Sequence, residues 1–453
     1  MQTSRAEDFK VVVAGGSIAG CTIAALLHRI GIQVKVLERS TQLHERGAGI
    51  VLPVVLLKQC IELGLFDEDI PYLPVDSRTF WVNDSAELRQ IWQQPITLVA
   101  LNWSAIYDNL RRRVPDQIYH SGIEVQEVVD NGDHVSVQTN AGKEKCDLLI
   151  AANGVNSTTR TQLYPEAGAD YAGYVAWRGT IPISKLPESE RFKKNFHYYF
   201  SPNGFRGHFL RFPIPAPNYQ ATGQVILNWM LYEAYPAEKL KFLLIDKTGK
   251  LQKGSIPRNF LSKEHITYLH KLAKQVLPAE MAEVIMQTEA PFLQVIYDSL
   301  VPQFVNRRIA FSGDAGMTLR PHSGSGAGHA IAFGIALAEI LKNNKSLSID
   351  ALLNQWNQAR LEYSQKQAEL SKNIGDALVM HSPRWDEMNQ KTMTEWWEGV
   401  MKGRQWHVTD SSTNSKQTAA KHLLLASSTI EALKDPNPSK INLTESLQIR
   451  SKL

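Results

Sequence analysis

The sequence predicts an α/β protein: a discontinuous Rossmann-like nucleotide-binding domain, an inserted mixed β-sheet domain, and C-terminal helices. Three observations predict it. A strand, glycine turn, helix and second strand fill residues 10–37. A strand ending in another glycine-rich turn appears only at residues 308–326. Between them, residues 171–294 lose the nucleotide-fold character and read as alternating strands rich in aromatic residues and proline.

Each element has a local cause. The apolar strand 10–14 runs into Gly15-Gly16-Ser17-Ile18-Ala19-Gly20, a helical pattern over 21–31 and a strand over 33–37. Helical periodicity resumes at 54–63. Pro71, Pro74 and the Asn83-Asp84 turn punctuate strand-like runs at 79–82 and 88–92, and a helix is expected over 104–113. Alternation over 118–138 predicts strands joined at Asn131-Gly132, followed by a buried strand at 147–152 and the turn Asn153-Gly154. Strands at 174–181, 208–212 and 224–231 belong to the insert, and a helix is expected from Gly326 to 343. A long helix over 349–380 precedes a cluster of Trp385, Trp396, Trp397 and Trp406, read as a cover over the other domains or as a homodimer surface. The expected division is 1–73, 98–170 and 295–348 for the nucleotide domain, 74–97 and 171–294 for the substrate domain, and 349–408 for the C-terminal helical region. Residues 409–453 form a polar tail, partly disordered, with a short helix near 419–433.

Composition excludes several function classes. Of 453 residues, 43% are hydrophobic and 21% charged, enough for a large core and neither disordered nor fibrous. Forty-nine Lys and Arg against 45 Asp and Glu leave a net charge of +4, too thin to predict a nucleic-acid partner. Apolar runs at 49–57 and 330–341 fall short of a transmembrane span. Cys21, Cys60 and Cys146 are widely spaced in apolar segments, so neither disulfides nor a metal site is expected. The N-terminal run lacks the layout of a signal peptide and the cysteines suit a reducing compartment, so a cytoplasmic location is expected. Ser451-Lys452-Leu453 reads as a peroxisomal address if the source is eukaryotic.

The glycine turn carries the first chemistry. Gly15, Gly16 and Gly20 permit a tight turn and close helix packing, while Ser17 and Ile18 open a helix whose N-terminal amides face a pyrophosphate. Eighteen residues past Gly20, Glu38 ends the second strand where a carboxylate meets a ribose, with Arg39 beside it. The second motif is Gly313-Asp314-Ala315, then Pro321, then Gly324-Ser325-Gly326 opening a helix. A carboxylate at a strand end beside a helix N-terminus suits a ligand with hydroxyls and an electron-accepting ring.

With these motifs in this order, residues 9–375 resemble the group A flavoprotein monooxygenases, single-component aromatic hydroxylases with the 4-hydroxybenzoate hydroxylase fold. Tyr171-Ala172-Gly173-Tyr174-Val175-Ala176-Trp177-Arg178-Gly179 and Arg320-Pro321-His322 resemble the 2,6-dihydroxypyridine 3-hydroxylase type among them. The resemblance implies a glutathione-reductase-type domain holding tightly bound FAD: Gly15 to Gly20, Glu38 and Arg39 on the ADP half, Asp314 on the ribitol, and Pro321, Gly324 and Gly326 beside the isoalloxazine. Asn153-Gly154 and Arg160 match the family's Asp-Gly and arginine, with a neutral amide for the acid, a change that bears on nicotinamide contact. Trp103 stands where an arginine usually faces the pyrophosphate, and Met317 where a histidine follows Gly-Asp-Ala.

The activity implied is reduction of FAD by transient NADH or NADPH, addition of O2 at flavin C4a to give a hydroperoxide, and hydroxylation of a small electron-rich aromatic or N-heterocyclic substrate. That chemistry asks for a dry pocket and a group that withdraws the substrate's hydroxyl proton. His322 is the first candidate; the other reading of it is a structural histidine. Tyr174 and Arg178 share one strand face, and Arg178 suits an anionic substrate, nicotinamide phosphates or a surface ion pair. Trp177, His208 and Trp229 are the candidate pocket residues. A flavin-dependent halogenase or epoxidase, and a flavin-binding protein without turnover, remain as alternatives; Trp177-Arg178-Gly179-Thr180-Ile181-Pro182 only partly matches the halogenase motif.

Overall fold

The computed structural model describes residues 9–41, 49–84, 87–202, 204–343 and 348–404. Two sheets position the site. The first has the strand order Val305–Asn306, Ile309–Phe311, Leu148–Ala151, Lys10–Ala14, Gln33–Glu38, Tyr119–Ser121, parallel except for its first pair. Its central strands are apolar and buried, as a sheet covered on both faces requires. Ala14 pairs with Ala151, and Ala151 with Phe311, so three strand ends deliver Gly15, Asn153 and Gly313 to one edge. Ligands of open α/β sheets bind at that edge.

Two helices back this sheet. Ile18–Arg29 starts directly after the glycine turn. A β-carbon on Gly20 would lie 1.8 Å from the Gly15 carbonyl oxygen, so only glycine allows the helix to start there. The helix Gly326–Asn343 crosses it at Gly334, where a β-carbon would meet Thr22 at 2.9 Å.

The second sheet runs Ser255–Ile256, Phe292–Leu300, Asp170–Pro182, Val225–Ala234, Gly207–Pro215, Phe196–Phe200, Leu73–Asp84, Glu87–Asn102, Gly49–Pro53. Strand alternation gives it two apolar faces. Tyr174, Ala176, Met230, Tyr232, Leu210 and Phe212 pack on one, which faces the first sheet's ligand edge; Val175, Trp177, Trp229, Leu231 and Phe209 pack on the other. The strands Leu73–Asp84 and Glu87–Asn102 are longer than the runs at 79–82 and 88–92, because register shifts after Val75 and Phe80 absorb the irregularities. Gly49–Pro53 and Leu98 to Asn102 also pair within this sheet, although the boundaries at 73 and 98 put them on the nucleotide side.

The helix Ile349–Gly375 continues through a wider π turn, Asp376–Met380, and the helix Gln390–Met401 follows. Trp385 packs against Phe200 at 3.9 Å between centroids, and Trp397 against Trp92 at 5.9 Å. The buried Arg78 guanidinium lies 3.9 Å from the Trp397 ring centroid, so this segment covers the large sheet. Trp406, the tail helix near 419–433 and Ser451-Lys452-Leu453 lie outside the described residues.

Candidate active site

A cleft of about 470 Å³ runs between the ligand edge of the first sheet and the inner face of the second. Its nucleotide end is lined by Gly15, Ser17, Ile18, Glu38 and Arg39, and its middle by Asn153, Gly154 and Asp314. Pro321, His322, Gly324 and Gly326 carry it to a wall of Arg178, Tyr198, Leu210, Phe212, Met230, Tyr232 and Gln294.

Gly16 and Gly20 are buried in the turn and do not line the cleft. The Gly16 amide donates to Glu38 Oε2 (2.7 Å), and the Ser40 amide to Glu38 Oε1 (2.9 Å), so Glu38 ties the glycine turn to the end of the second strand. The Tyr119 hydroxyl donates to the Gly16 carbonyl (3.1 Å). Trp103 lines the cleft at the start of the helix Trp103–Arg111, stacked 5.1 Å from Tyr107, and leaves Arg39 as the guanidinium at this end.

The third motif acts through its arginine. Arg160 donates to the carbonyls of Asp314 (3.1 Å), Ala315 (3.2 Å) and Val155, and so binds the Asn153-Gly154 turn to the Gly313-Asp314 turn. The Asp314 side chain opens to the cleft but is ringed by protein; that crowding pushes its carboxyl up to about 6 against the pull of Arg160. Asn153 Oδ1 is buried with no hydrogen-bond partner, while its amide nitrogen donates to Thr158 (3.4 Å).

His322 sits where the two sheets meet. Its Nε2 lies 3.0 Å from the Tyr174 hydroxyl and its ring 4.4 Å from that of Tyr232, while Nδ1 is buried without a partner. Burial, with His208 and Arg320 nearby, holds its pKa well below the usual imidazole value, so the ring is neutral. Tyr174 does not line the cleft. It stands behind His322, its ring 5.6 Å from the Arg320 guanidinium. Arg320 in turn grips Asp298 through Nε (3.0 Å) and Nη2 (2.7 Å), and Asp376 through Nη1 (2.6 Å). The loop bearing His322 is thereby fixed to the large sheet and to the C-terminal helix.

Arg178 is half-buried in the wall, with Nη1 donating to Gln294 (2.8 Å) and Nε buried without a partner. It has no carboxylate partner among the described residues, and burial lowers its pKa. Three pocket expectations are corrected. Trp177 and Trp229 point to the opposite face of the sheet, where they donate to Glu233 Oε2 and Thr288 Oγ1, each at 2.9 Å. Strand parity decides this, and it gives the wall to their neighbours Arg178, Met230 and Tyr232. His208 has the right parity but lies behind the wall among Tyr198, Phe200, Tyr232 and His322; burial drops its pKa to about 3. The motif reading also missed Gln294, Asp298 and Asp376; cross-strand pairing of Ala176 with Gln294 would have found the first.

Residues 171–298 match the FAD binding domain-like family model. The chain is 26% identical over 357 residues to 2,6-dihydroxypyridine 3-monooxygenase of Paenarthrobacter nicotinovorans, covering 78% of this chain and 87% of that one. The solved 2,6-dihydroxypyridine-3-hydroxylase from Arthrobacter nicotinovorans aligns with a TM-score of 0.76 and 25% identity, over 83% of this chain and 94% of that one. These similarities identify an FAD-dependent aromatic monooxygenase. Salicylate hydroxylase of Pseudomonas putida is another relative, 24% identical over 83% of this chain and 87% of its own length. This monooxygenase works with FAD, NAD(P)H and O2. The cleft fits FAD: two helix N-termini, a carboxylate between them, and an orphaned amide oxygen on Asn153 line one continuous groove. No described helix is long and apolar enough to cross a membrane.

Proposed function

We propose that this monooxygenase hydroxylates an electron-rich phenol or hydroxylated N-heterocycle, with the ring hydroxyl meeting His322 and an anionic oxygen meeting Arg178. The observation that carries the reading is the neutral, cleft-lining imidazole of His322, held from behind by Tyr174 and left with an unpaired Nδ1. A neutral imidazole is the form that accepts a proton. In this reading the docking substrate uncovers the buried Nδ1. As Nδ1 takes the hydroxyl proton, Nε2–H donates to the Tyr174 oxygen, and the electron-enriched ring stays beside the imidazolium as its counter-charge. Arg178 supplies the second cation, since no described carboxylate neutralises it. Tyr198, Leu210, Phe212, Met230 and Tyr232 form the apolar, water-poor wall.

When bound, FAD takes electrons from NAD(P)H and activates O2. In the proposed arrangement Ser17, Ile18 and Arg39 hold its pyrophosphate end, Asp314 accepts from its ribitol hydroxyls, and Pro321, Gly324 and Gly326 flank its ring. The relatives' names carry dihydroxypyridine and salicylate, both small rings with acidic hydroxyls. The test is NAD(P)H oxidation and O2 consumption by the FAD-loaded protein with hydroxypyridines, phenols and indoles. Substrate-stimulated turnover giving a product heavier by one oxygen is expected. A halide-dependent product, or bound FAD without turnover across the panel, would overturn the reading.

A further inference from the structure

On the outer side of the large sheet, away from the cleft, residues 240–253 form a small layer over the apolar back face, before Ser255–Ile256 joins the sheet edge and Arg258 packs on Phe292 beside Arg178. Leu243, Leu244, Ile256 and Leu261 anchor it in that core. The short helix Leu240–Leu243 leads into a turn in which Ile245 and Leu251 bridge, and the Lys247 amide donates to the Phe260 carbonyl (2.9 Å). Asp246 is buried inside the turn, where Oδ1 accepts from Thr248 N (2.8 Å) and Lys250 N (3.2 Å), and Oδ2 from Gln252 Nε2 (2.6 Å). The one acidic side chain of residues 239–260 is thus spent on folding the turn.

What the layer presents outward is unusual. Phe242 is 64% exposed, Leu251 56%, Phe260 40% and Ile245 39%: four of the eight most exposed large apolar side chains among the described residues lie in this one segment. Bridge partners project to the same side, so Ile245 and Leu251 act together. The same segment carries Lys239, Lys241, Lys247, Lys250 and Lys253, all exposed and none in an ion pair among the described residues. The Lys241 ammonium lies 5.6 Å from the Phe242 ring and that of Lys247 5.5 Å from the Phe260 ring. With Arg258 against Asp246, residues 239–260 carry a net charge of +5, more than the whole chain's +4.

From this juxtaposition we propose that residues 239–260 dock the protein on an anionic lipid surface, with Phe242 and Leu251 entering the headgroup boundary and the five lysines pairing with lipid phosphates. Protruding apolar side chains ringed by unpaired lysines are what an interfacial anchor needs. A second copy fits poorly, because a two-fold contact would set +5 against +5. A nucleic acid would pair with the lysines but leave the exposed Phe242 and Leu251 unrewarded. Docking by this side leaves the cleft, on the other face of the sheet, open to substrate.

The test is co-sedimentation of the FAD-loaded protein with vesicles of phosphatidylcholine alone or with about one third phosphatidylglycerol. Binding to the anionic vesicles roughly tenfold or more above the neutral ones, lost at high salt, is expected. The triple variant Lys241→Glu/Lys247→Glu/Lys250→Glu should lose that excess, and Phe242→Ser/Leu251→Ser should weaken it, both with an unchanged flavin spectrum. Lys366→Glu/Lys391→Glu, on another surface, should bind as the parent does. No excess binding, equal binding by the triple variant, or a dimer in solution abolished by the patch variants would each overturn the assignment.

Discussion

The Tyr174 hydroxyl lies 3.0 Å from Nε2 of His322, on the side of the imidazole away from its unpaired nitrogen. In the proposed reaction tyrosine is therefore a positioning residue and histidine the proton acceptor. Tyr174→Phe should lower kcat about tenfold, the worth of one buried hydrogen bond, with KM and FAD content unchanged. His322→Gln should lower kcat by roughly 10²–10⁴ for substrates whose hydroxyl must be deprotonated. Steady-state kinetics on flavin-normalised protein separates the two.

The pH profile follows from the sign of the His322 shift. Its folded pKa is depressed, so the base stays neutral and competent as pH falls through 6.5, the ordinary imidazole value. The acidic limb of kcat/KM attributable to this residue should lie well below pH 6.5. An inflection near 6.5 that disappears in His322→Gln would contradict the burial argument.

Arg178 should discriminate among substrates. Replacing it with Gln keeps its contact with Gln294 within reach but removes the charge. Affinity for anionic ligands such as salicylate should fall about 10- to 100-fold, as for loss of a charge-assisted hydrogen bond, while that for uncharged phenol changes little. Perturbation of the flavin spectrum on titration reads both.

Asp314 links the cofactor site to stability. Its folded pKa, about 6, is above its ordinary 3.8, so the folded apoprotein binds more protons than the unfolded chain in that window. Stability of the FAD-free protein should fall as pH rises from 4 to 6. Asp314→Asn should flatten that fall and raise the thermal midpoint at pH 8, while weakening FAD binding. Melting curves of apoprotein and an FAD titration check the two effects.

The grip of Arg320 on Asp298 is buried, and Asp298→Ala leaves a guanidinium with only half of its carboxylate partners. Loss of about 3–5 kcal/mol of stability is expected, measured by denaturant unfolding. Conversion to Asn should cost less, because it still accepts a hydrogen bond.

Local signals made much of this molecule legible from sequence. The glycine turn, the carboxylate at residue 314 and the return of the nucleotide fold at residue 308 each depend on neighbours a few positions away, and all three meet at one sheet edge. Contacts between distant segments were not legible: nothing near Arg320 announces Asp298 or, 56 residues on, Asp376. Trp177 and Trp229 drew attention by size, yet strand parity turns both away from the cleft. His208 shows that parity is also insufficient, since Tyr198, Phe200 and Tyr232 fill the space around its ring.

The contact of Arg160 with the Asp314 and Ala315 carbonyls joins turns more than 150 residues apart, and the strands that carry those turns lie side by side. A chain emerging from the ribosome therefore carries the glycine turn of its cofactor cradle from the start, yet cannot close the cradle until the Ile309–Phe311 strand and the helix after Gly326 have been made. If these turns hold FAD as proposed, cofactor capture comes late in the synthesis of each chain.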